Sequence, residues 1–178
     1  MKTNKYLSKI TFLVLAVLLT FAASAEAQRK KPVTKKPVTT TTTTTTNSLE
    51  IKDSAKKVSD QLMNVVSFTF KLGGAASAIE ALEADAKAGK MSKAQLDKFA
   101  QQKQTIIQTI VNLKAGLAAL EVDFRTKPSI KNYLFQIQGV TDLATQSEDL
   151  AKSGKFNDSG KVLVQVVQKL ADTLAAMP

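Results

Sequence analysis

The sequence of 178 residues contains no cysteine, no histidine and no tryptophan. Without cysteine there can be no disulfide, so an oxidising compartment would leave no mark on the chain. The same absence closes the bacterial lipoprotein route, which needs a cysteine at its processing site. Without histidine or cysteine, a nucleophilic serine lacks its ordinary general base. A di-iron bundle lacks its Glu-x-x-His pairs, and haem lacks its usual imidazole, leaving Met and Tyr as poor substitutes. No glycine-rich phosphate loop occurs, nor the aromatics interleaved with basic residues that single-strand binders use.

The formal charge of +10 is concentrated outside the segment expected to fold. From Leu49 onward the chain carries 17 basic and 14 acidic residues. A nucleic-acid-binding fold carries its basic footprint on the folded domain, so no nucleic-acid partner is expected.

What is present begins with a leader. Lys2, Lys5 and Lys9 precede an apolar stretch from Ile10 to Ala23, and Ala23-Ser24-Ala25 is a small-x-small cleavage site before Glu26. Ala25-Glu26-Ala27 offers a second site before Gln28. Residues 1–25 therefore read as a secretory signal peptide. The stretch is shorter than the roughly 20 residues of a spanning helix. No other apolar run in the chain approaches that length, so the mature protein is expected to be soluble, periplasmic or secreted, with no transmembrane segment.

Residues 26–48 read as a disordered tether. Lys30-Lys31-Pro32-Val33-Thr34 repeats at once as Lys35-Lys36-Pro37-Val38-Thr39, and Thr39 to Thr46 is an unbroken threonine run. Proline blocks helix, and there is little apolar surface to bury. A solvated spacer is the simplest account. Lys30, Lys31, Lys35 and Lys36 could also contact an anionic surface, at about 1 kcal/mol each at most. The threonines could carry O-linked sugars.

Residues 49–178 follow a helical repeat. Leu96, Phe99, Ile106, Ile110, Leu113, Leu117, Leu120 and Phe124 alternate steps of three and four, interrupted by Lys103. Such a stripe faces one side of a helix and packs as a coiled-coil-like seam. Ser92-Lys93-Ala94-Gln95 caps this helix, and Pro128 ends it. Before it, Asn47-Ser48-Leu49-Glu50 resembles a capping box for a helix carrying Val58, Leu62, Val65 and Leu72. Gly73-Gly74 is either a cap or a kink, and the seam through Ala76 and Ile79 favours a kinked continuation to Gly89. After Pro128, Ser129 is expected to cap a helix ending at Gly154, weakened midway by Gly139. Asn157 or Asp158 is expected to cap the last helix, with Val162, Leu163, Val166 and Leu170 on its inner face.

Four helices joined by short loops predict an all-α, antiparallel up-down four-helix bundle. The first two helices outrun the last two. Their tip, around Ala78 to Phe99, is expected either to project as an arm with Ile79, Leu82, Leu96 and Phe99 uncovered, or to fold back over the bundle end. A projecting arm would be a surface for a protein partner or for self-association.

The remaining polar clusters have ordinary explanations. Ser92-Lys93 and Ser129-Ile130-Lys131 sit at helix starts, where capping accounts for the serines. Glu80/Glu83/Asp85, Glu121/Asp123 and Glu148/Asp149 read as solvated acidic faces, since calcium wants six to eight oxygens, usually from a loop. Asn157-Asp158-Ser159 matches an N-glycosylation triplet. Asp53-Ser54-Ala55 and Asp172-Thr173-Leu174 resemble a bacterial O-glycosylation acceptor pattern. No catalytic, cofactor-binding or metal-ligating set is expected. The sequence thus points to an exported, non-enzymatic structural or interaction module. The alternative is a carrier of an apolar small molecule or lipid, suggested by the broad apolar arc of Met63, Val66, Phe68, Phe70, Tyr133, Leu134 and Phe135.

Overall fold

A computed structural model describes residues 42–178, with side chains from Asn47 onward. The expected signal peptide and cleavage sites, the Lys-Pro repeats and the threonine side chains lie outside the described residues. Among the described residues every regular element is helical: α1 (Thr42–Lys87), α2 (Lys93–Thr126), a 3-10 turn (Lys131–Tyr133), α3 (Leu134–Ile137), α4 (Val140–Lys152) and α5 (Phe156–Ala176).

The start of α1 differs from the expected one. Asn47 and Ser48 lie inside the helix, so the Asn47–Glu50 capping box is not formed. Glu50 instead reaches across the fold and accepts the Ser129 hydroxyl at 2.5 Å. That contact also removes Ser129 from its expected capping role. α1 then continues through Gly73-Gly74 to Lys87 as one helix, which excludes a break there. Gly89, at φ +68°, terminates the segment after α1, as only a residue tolerant of the left-handed region does cheaply.

α2 is capped as its sequence predicts. The Ser92 hydroxyl accepts the Gln95 N–H at 3.4 Å, while the Gln95 side chain accepts the Ser92 N–H at 2.8 Å. Its stripe is buried at Phe99, Ile106, Ile110, Leu117, Leu120 and Phe124.

The single helix expected after Pro128 is not formed. The chain makes the 3-10 turn and the short α3, then turns at Gly139, whose φ of +88° cannot continue a right-handed helix. Gly139 therefore separates two helices rather than weakening one. Ile130, Ile137 and Val140 are fully buried around this turn. Gly154, at φ +81°, ends the segment after α4, and α5 starts at Phe156, ahead of the expected Asn157 or Asp158 cap.

Contacts run in opposite order along paired helices. Lys57 and Glu83 of α1 meet Asp123 and Lys103 of α2, and a Cβ on Gly116 would fall 2.8 Å from the Gln61 side chain. Lys114 of α2 pairs with Glu148 of α4, and Ser147 of α4 with Ser159 of α5. Leu72 and Glu80 of α1 lie against Gly160 and Asn157 of α5. These contacts enclose a core of Val58, Val65, Leu72, Ile110, Leu117, Phe124, Phe156, Leu163 and Leu170.

The tip neither projects bare nor folds back. Ile79 is 3% exposed and Phe99 7%, while Leu82 is half-buried and Leu96 alone lies open. The reason is that the segment entering α5 is seated on α1. Glu80 takes Asn157, and Gly154 approaches Glu83 so closely that an added Cβ would meet its side chain at 3.2 Å.

One further correction concerns hydrophobicity. Asn47–Lys87 and Lys93–Thr126 each contain a window long and apolar enough to cross a membrane, by length and composition alone. Lys71 is the one charge between Asp60 and Glu80, and Lys114 the one between Lys103 and Glu121. The windows are 28% and 33% buried, and the core helix of a soluble protein passes the same test.

Candidate interaction surface

Of the acidic residues singled out in the sequence, Glu80, Glu83, Glu121, Asp123 and Glu148 tie helices together, whereas Asp85 pairs with Lys90 in the turn after α1 and Asp149 is exposed. Glu121, buried on α2, accepts four hydrogen bonds: the Thr141 hydroxyl at 2.8 Å, the Arg125 guanidinium at 3.0 Å, and the backbone N–H groups of Gly139 and Thr141 at 3.3 and 3.4 Å. α4 has Gly139 at its N-cap and no capping side chain of its own, so Glu121 closes that helix from outside. Burial pushes the Glu121 carboxyl up, but the hydrogen bonds and the Arg125 charge outweigh it and hold the group below the usual carboxylate range. α5 repeats the arrangement. Its N-cap, Lys155, makes no side-chain cap, and Glu80 of α1 accepts the Asn157 N–H at 2.8 Å and the Asn157 side-chain amide at 2.6 Å. In both cases a carboxylate meets the positive end of a helix.

Glu148 is buried between the ammonium groups of Lys114 and Lys152, whose hydrogen bonds hold its carboxyl below the usual range. Asp123 bonds Lys127 and Lys57, and is lowered first by Lys127. Glu83 bonds Lys103 and Asp85 pairs with Lys90, so Glu80, Glu83 and Asp85 go to three separate partners. Among the described residues no three His, Cys, Asp or Glu side chains stand together as a metal set. The Asn157 amide is engaged, and Ser54 and Thr173 of the two other candidate acceptor triplets are buried. Ser92 and Ser129 are both occupied, the one in its capping box and the other on Glu50.

A shallow groove of about 280 Å³ lies over the Glu121 tie, lined by Ala118, Glu121, Val122, Arg125, Thr141 and Asp142. Its most buried polar group is already saturated. That leaves Arg125, Thr141 and Asp142 at its rim.

The apolar arc that suggested a ligand chamber opens outward. Phe68 is buried, but Phe70 and Phe135 are each 84% exposed, and Met63 and Val66 are also exposed. Met63, Val66 and Phe70 are spaced by three and four residues along α1, so they form one strip on its outer face. Tyr133 and Leu134 are half-buried beside the turn. Met63, Val66, Phe70 and Phe135 thus face outward and do not line the core in which a carried ligand was expected. No family model matches the chain, and none of the curated proteins or solved structures matches it either.

The outward strip was present in the sequence as surplus. α1 has more apolar residues than one seam needs, and the excess fell at positions opposite Val58, Val65 and Leu72. The trans caps were not readable in the same way. Their trace is negative: neither Gly139 nor Lys155 carries a side-chain oxygen that could accept from the first turn of its helix.

Proposed function

We propose that this chain is an exported, non-enzymatic, antiparallel four-helix bundle that serves as a structural or protein-interaction module at the cell envelope or outside the cell. The observation that carries the reading is the use made of its polar groups. Glu80 joins α1 to α5, Glu121 and Glu148 join α2 to α4, and Glu83 and Asp123 join α1 to α2, while α1 keeps an exposed strip of Met63, Val66 and Phe70. Saturated carboxylates are poor acids, bases and ligands, and an exposed strip of Met, Val and Phe is what contact surfaces use. The opposite order of paired residues supports the up-down topology.

Export rests on the basic and apolar leader with its Ala23-Ser24-Ala25 site, and the Lys-Pro-Thr tether would then hold the bundle away from a surface. Lys30, Lys31, Lys35 and Lys36 would add weak attraction to anionic polymer or headgroups. Leu96, at the Ala78–Phe99 tip, is an accessory contact.

The test is recovery of the protein from its producing cells after mild crosslinking. An intact mass beginning at Glu26 or Gln28, with discrete crosslinked species outside the cytoplasm, is expected. A chain that keeps Met1 and stays in the cytoplasm would overturn export. Substrate turnover by the purified protein, lost on unfolding, would overturn the non-enzymatic reading.

A further inference from the structure

We draw no further inference here: the strongest candidate, the outward strip of Met63, Val66 and Phe70 on α1, is an unpartnered apolar helix face, and nothing in the structure shows what covers it.

Discussion

Glu80 and Asn157 are separated by 77 residues, yet one carboxylate takes both the backbone N–H and the side-chain amide of that asparagine. The contact fixes the first turn of α5 to α1 and covers the end of the bundle. Glu80→Ala is expected to cost about 1–2 kcal/mol, the loss of a cap and of a charge-assisted bond. Denaturant unfolding measures the loss. Hydrogen exchange should localise it, with the Asn157 amide losing protection and the centre of α5 keeping its own.

Glu121 and Glu148 make stability depend on acid. Both carboxyls sit below their ordinary value of 4.5 in the folded chain, Glu121 through the Thr141, Gly139 and Arg125 contacts and Glu148 through Lys114 and Lys152. A group bound more weakly by protons when folded stabilises the fold while it is ionised. Their contribution is therefore full above about pH 4.5, and is lost as the pH falls below that toward the lowered folded values. Glu121→Gln should flatten this acid limb as well as lower stability near neutrality, read from urea midpoints across the pH series.

Ser147 and Ser159 share a buried hydroxyl–hydroxyl contact of 2.8 Å between α4 and α5. Ser147→Ala leaves the Ser159 hydroxyl short of a partner and is expected to cost about 1–2 kcal/mol, whereas Ser159→Ala leaves Ser147 its bond to the Ser159 carbonyl and is expected to cost less. Changing both removes two polar groups at once and should cost less than the sum of the singles. A double-mutant cycle on unfolding free energies gives the coupling directly.

Gly139 separates α3 from α4 with a φ of +88°. Nothing lies within 4 Å of an added Cβ, so Gly139→Ala isolates backbone strain from clash. It is expected to destabilise by about 1–2 kcal/mol. The outward Gly73→Ala, also free of clash, should go the other way. Thermal melts of the two variants test the contrast.

The α2 seam, its Ser92 box and the stops at Gly89 and Gly154 were legible in the sequence, because each depends on spacing or on a single local residue type. The apolar strip was legible as an excess of hydrophobicity on α1, although not its direction. The expected role of Ser129 failed for a different reason. A serine after proline looks like a cap until Glu50, 79 positions earlier, is brought beside it. The expected single helix over residues 130–153 failed because Gly139 takes a left-handed corner, which its helix propensity alone does not reveal. Glu80 and Glu121 look like surface charges along the chain and become caps only once helices pack. Local grammar was readable; tertiary satisfaction of helix ends was not, since it lives in pairs far apart in sequence.

The two trans caps also give the fold a direction in time. Glu121 precedes Thr141 by 20 residues and Glu80 precedes Asn157 by 77, so each carboxylate lies N-terminal to the helix it closes. A chain emerging N-terminus first presents α1 and α2 as a hairpin before α4 and α5 exist. The later helices, without caps of their own, then complete themselves against that template. The α4–α5 segment cut away from α1 and α2 would carry two open helix starts and no core to lie on.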